Sequence, residues 1–141
     1  MLGNDEQEVR PEFLAGLDQV FNAFEHSAVR ARWKDEGKGV ATLDQGAENV
    51  KATCRELRKS LLSSRKIQEN EDRIGAIIRA EGPCTMKIKQ DTHVVTIAVH
   101  GDGHAPTVGE ASLPERTITR IRSGVVKIGS HTTVYMVLLG Q

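Results

Sequence analysis

Apolar residues recur along this chain with two different periods, and the change falls at Gly82-Pro83. Ahead of that point they are spaced as on a helix; beyond it they alternate, and β-branched residues are enriched. Pro11 suits the first position of a helix, where its missing N–H costs nothing. From there Phe13, Leu17, Val20 and Phe24, flanked by Leu14 and Phe21, fall within about 100° of one another on a helical wheel. The stripe predicts a first helix from Pro11 that can run to Trp33 or Lys34 before Gly37-Lys38-Gly39 ends it.

A second helix is predicted from near Asp44, where Thr42 and Gln45 have capping-box spacing and Val50, Cys54, Leu57 and Leu61 form an apolar seam. The pattern lapses between Ser63 and Arg73, so the helix either crosses solvent there or breaks and restarts near Asn70 or Asp72. Ile74, Ile77 and Ile78 then read as a resumed helical face, stopped by Gly82-Pro83. After Pro83, strands are predicted over 84–90, 92–100, 116–122, 125–128 and 131–139. The breaks at Gln90-Asp91 and Ser123-Gly124 suit hairpins, and Gly101 to Pro114 reads as a long loop.

The expected class is therefore α+β, with two or three N-terminal helices packed on a C-terminal, mainly antiparallel sheet of four or five strands. Residues 1–10 read as a flexible acidic N-terminus and 11–141 as a single domain, with a helical part 11–82 and a β part 84–141. In the last strand Val134, Met136 and Leu138 point one way and Tyr135, Val137 and Leu139 the other, which predicts burial of both faces. With helices on one face, a second copy of the chain is the economical cover for the other. A homodimer or higher symmetric oligomer is expected on that ground.

Composition adds a thin, aliphatic core, since aromatics are only 4% of the 141 residues. The formal net charge of zero removes any whole-protein argument for a polyanion partner, but the charge is unevenly spread. Residues 1–25 carry six acids against Arg10 alone, whereas residues 26–66 carry ten Lys and Arg against five acids. On the second helix Lys51, Arg55, Arg58, Lys59, Arg65 and Lys66 fall within an arc of roughly 120° beside the apolar seam, along a rod about 20 Å long. Such a row can follow a phosphate backbone, extended over the sheet by Lys87, Lys89, Arg120, Arg122 and Lys127. The bland alternative is an amphipathic helix whose cationic heads sit in water. Few aromatics accompany the basic stretch, which favours reading of phosphate or duplex shape over base stacking.

His100-Gly-Asp-Gly-His104 is the one place where general bases or metal ligands cluster in sequence, but Asp-Gly is a turn signal by itself, and a plain turn is the preferred reading. His93 and His131 read as strand residues, and Glu69, Glu71 and Asp72 as a solvated helix terminus. No Gly-rich phosphate loop, zinc-ligand spacing, nucleophile elbow or dinucleotide fingerprint is present, and no cofactor or metal is expected. Cys54 and Cys84 read as reduced, small hydrophobes. There is no N-terminal cationic and apolar signal and no run of 18 apolar residues, so membrane spanning is not expected and the cytoplasm is the default compartment. The leading functional expectation is a non-enzymatic, self-associating module that binds nucleic-acid phosphates, RNA included, through the basic helix face. The alternatives are an assembly accessory protein, as in a viral particle or secretion system, docking on an acidic protein, and a metal-dependent enzyme using His100, Asp102 and His104.

Overall fold

In the computed structural model, which describes residues 9–43, 47–102 and 104–140, the chain begins with β1 (Glu12–Phe13), α1 (Asp18–Ala28), β2 (Trp33–Asp35), β3 (Val40–Leu43) and α2 (Glu48–Ser63). A 3-10 turn (Glu69–Glu71) leads into β4 (Arg73–Glu81), β5 (Cys84–Ile88), β6 (Thr92–Gly101), β7 (Thr107–Val108), β8 (Ala111–Ser112), β9 (Thr117–Ile121), β10 (Gly124–Ile128) and β11 (Thr132–Gly140). The strands form a seven-stranded sheet in the order β1-β9-β6-β11-β4-β3-β2 and a four-stranded sheet in the order β5-β10-β7-β8. Each pairing is antiparallel. The expected α+β arrangement of two or three helices on one sheet of four or five strands is thus overturned: sheet dominates, with two helices and eleven strands among the described residues.

Two separate cores show how the layers stack. On one face of the large sheet, Val95, Ile118, Tyr135, Val137 and Leu139 pack with Phe21 and Phe24 of α1 and Val50, Cys54, Leu57 and Leu61 of α2. On its other face, Ile78, Val94, Ile121, Val134 and Met136 pack with Ile88, Val126 and Ile128 of the small sheet and with Leu113. The order is therefore helices, large sheet, small sheet. Strand β11 is indeed apolar on both sides, but the chain's own second sheet covers the face that sequence alone leaves to a second copy, and the argument for a homodimer or symmetric oligomer loses its premise.

The predicted hairpins at Gln90-Asp91 and Ser123-Gly124 are corners instead. β5 pairs with β10 in the small sheet, while β6 pairs with β9 and β11 in the large one, so each short break carries the chain from one sheet to the other. Gly82-Pro83 is a third such corner, between β4 and β5. There the Gly82 N–H donates to the Thr132 carbonyl at 2.8 Å, and a Cβ on Gly82 would stand 1.7 Å from the Gly129 carbonyl oxygen, so no side chain fits.

The helical reading of 74–81 is also wrong, for an instructive reason. β4 pairs with β11 such that Leu138 faces Ala76 and Leu139 faces Ile74, which leaves Gly75 as the extra residue of a β-bulge. The bulge shifts the phase of the strand, so Ile74 and Ile77 both turn to the helix-side core at a spacing of three while Ile78 turns to the other core. A spacing of three on one face imitates a helix. At the other end of the chain, the first helix starts at Asp18 rather than Pro11, and Phe13, assigned to its stripe, is 63% exposed on the edge strand β1. It ends at Ala28, and Trp33 belongs to the β2–β3 hairpin. Thr42 is a strand residue, α2 starts at Glu48 with no side-chain cap, and the capping positions Asp44 and Gln45 lie outside the described residues, as do residues 1–8 of the acidic N-terminus.

Candidate functional site

The buried seam of α2 is the one the spacing predicts: Val50, Cys54, Leu57 and Leu61 are all at most 1% exposed. Burial pushes the Cys54 thiol up to about 12, against the opposing charge of Arg55, so this cysteine is an inert core residue. The seam fixes the roll of the helix and thereby the placement of its cations. Lys51, Arg55, Arg58 and Lys59 all lie on α2, spread over about 12 Å at ~1.5 Å per residue.

Arg65 and Lys66 do not continue that row, because α2 stops at Ser63. Arg65 takes a left-handed conformation with φ 61°, the Lys66 N–H donates to the Leu61 carbonyl at 2.9 Å and the Arg65 N–H to Leu62 at 3.1 Å, a helix end of the Schellman type. Lys66 is turned toward β1 and forms an ion pair with Glu12. Lys51 reaches Glu48 one turn back at 4.0 Å. Among the described residues, Arg55, Arg58, Lys59 and Arg65 form no ion pair. Arg58 has in addition a buried Nε without an acceptor.

Two acids near the helices have partners away from the Arg55/Arg58/Lys59 row. Asp18 of α1 pairs with Arg116, whose guanidinium also donates to Asn22 at 3.0 Å and lies 5.9 Å from the Phe21 ring. With Glu12 held by Lys66, two of the acids that sequence assigns to an acidic N-terminal part are neutralised locally. Among the described residues, Arg55, Arg58 and Lys59 of α2 are left over.

The expected extension of this row across the sheet fails. Lys87 and Lys127 lie on β5 and β10, in the layer farthest from the helices, with the large sheet in between. Arg120 is committed to Asp91, donating from Nε at 3.0 Å, and that bond holds the Asp91 carboxyl below its ordinary range. Lys87 and Lys127 are thus separated from the α2 cations by the large sheet and do not continue their row.

The His100-to-His104 loop is opened rather than gathered. His100 turns to the helix side, 5.7 Å from the Tyr135 ring, with its Nε2 3.9 Å from Glu25. His104 is exposed, Gly103 lies outside the described residues, and among the described residues no group of three or more His, Cys, Asp or Glu is placed to hold a metal ion. His100 belongs instead to an aromatic cluster that sequence reading misses. Tyr135 contacts Phe24 and Trp33 at ring distances of 6.4 and 5.6 Å, and Arg79 lies 5.7 Å over Trp33. Burial raises the Tyr135 phenol. Its residues come from α1, β2, β4, β6 and β11, so no local spacing announces them.

A cavity of about 470 Å³ lies between the end of α1 and the first turn of α2, lined by His26, Arg30, Arg32, Glu48 and Asn49 among others. Sequence reading misses Arg30 and Arg32 as site residues because it carries the first helix through them. The chain in fact leaves the helix at Val29, Ala31 packs on the core, and the arginines on either side of it are exposed. No helix among the described residues is long and apolar enough to cross a membrane. No protein-family model, curated protein or solved structure matches the chain.

Proposed function

We propose that this protein is a non-enzymatic binding module whose helix layer contacts the phosphates of a nucleic acid, with Arg55, Arg58 and Lys59 as the principal contacts and Lys51, Arg65 and Lys66 at the margins. The observation that supports it is the charge mismatch on α2: Glu12 and Asp18 are taken by Lys66 and Arg116, Lys51 has Glu48, and Arg55, Arg58 and Lys59 form no ion pair among the described residues. Self-association is not needed, because both faces of β11 are covered within one chain.

Fluorescence anisotropy of labelled duplex and single-stranded oligonucleotides over a salt series tests the proposal. Binding should weaken linearly in a log-log plot with a slope of about −0.9 per phosphate contacted on duplex, and R55A/R58A/K59A should reduce that slope by roughly three contacts. Absence of binding to any polynucleotide at low salt overturns the reading and leaves an acidic protein surface as the partner for the same cations, as in an assembly accessory protein.

A further inference from the structure

We infer that the cavity between α1 and α2 is a seat for a phosphate monoester, the terminal phosphate of a strand or that of a free nucleotide. Its volume, about 470 Å³, lies within the range of small-ligand sites and exceeds what a bare ion fills. Among the described residues, three cationic or protonatable side chains, His26, Arg30 and Arg32, line it against one acid, Glu48, which has Lys51 at 4.0 Å. Among the described residues neither Arg30 nor Arg32 forms an ion pair. Arginine is the side chain whose planar fork matches a phosphate with two parallel hydrogen bonds, and a monoester carries more charge than the diesters within a strand.

Position adds a second argument, which rests on the proposed nucleic-acid reading. Ala47 and residues 48–50 of α2 line the cavity, and the row Lys51, Arg55, Arg58, Lys59 starts directly after them. A strand lying on that row therefore reaches the cavity at one end, where a terminal phosphate meets Arg30 and Arg32.

The test uses the full chain and four probes: oligonucleotides of one sequence ending in phosphate at the 5′ or the 3′ end, the same oligonucleotide with hydroxyl ends, and adenosine monophosphate. One phosphate-ended strand should bind roughly tenfold more tightly than the hydroxyl-ended strand, the worth of one or two charge-assisted hydrogen bonds. R30A/R32A should bring that ratio to one and leave hydroxyl-ended binding nearly unchanged, whereas R55A/R58A/K59A should weaken all strands alike. Equal affinity for phosphate and hydroxyl ends, or a preference that survives R30A/R32A, overturns the inference while leaving the binding module intact. Binding of adenosine monophosphate lost in R30A/R32A, without any strand binding, supports the cavity as a site for free nucleotides and removes the nucleic-acid reading instead.

Discussion

His93 is a titratable residue buried in the large sheet. It is 9% exposed on β6, opposite Arg120 on one side and Leu139 on the other, beside a water-sized cleft shared with Glu71 and Asp91. Burial holds it below its ordinary 6.5, the charge of Arg120 acts in the same direction, and Glu71 and Asp91 oppose. A histidine with a depressed folded-state value takes up its proton more readily when unfolded, so stability is lost as pH falls below about 6.5. Asp91, depressed by its bond to Arg120, adds a further loss as pH falls below 3.8. Urea unfolding at pH 7.5 and pH 5 should show the first loss, and His93→Gln should remove most of it. An unchanged pH dependence in that variant would assign the effect to other groups. His93 was legible as a strand residue, but its neighbours were not, because Glu71 comes from the 3-10 turn and Arg120 from the adjacent strand.

At the scale of elements, the end of α2 carries its own prediction. Arg65 occupies the left-handed position where glycine is the unstrained choice. Arg65→Gly should raise stability by about 0.5 kcal/mol, relief of backbone strain being partly offset by the freer unfolded chain. The same change should weaken polynucleotide binding by removing one cation, so thermal melts and anisotropy should move in opposite directions. Strands read from strict alternation are found near their predicted places, from β5 and β6 to β9, β10 and β11. Where alternation is broken, reading fails: the Gly75 bulge disguises β4 as a helix, and two- or three-residue strands such as β1, β2, β7 and β8 are too short to show a period. On α2 the apolar seam is repeated often enough to fix both the helix and its cationic side. It cannot fix where the helix ends, and Arg65 and Lys66 were misplaced for that reason.

For the whole molecule, the three-layer arrangement predicts a mass. Because the helices cover one face of the large sheet and the small sheet covers the other, light scattering should give 15.5 kDa, the mass of one chain. A stable dimer would have to use a surface other than the faces of β11. What the sequence by itself determined was local: the seam of α2, the alternation of the C-terminal strands, the two-sided apolarity of β11 and the excess of cations between residues 26 and 66, each a pattern written within a few turns or one strand. What only the tertiary structure decided was which strand joins which sheet, and hence what buries the second face of β11, which acids neutralise which cations, and how Arg30 and Arg32 come to share a cavity with the start of α2. The physical reason is that a corner and a hairpin need the same short, polar breaks in the chain, so the choice between them is made by which apolar faces can meet. Pairings between residues far apart in sequence, such as Lys66 with Glu12 or Arg116 with Asp18, follow only after that choice.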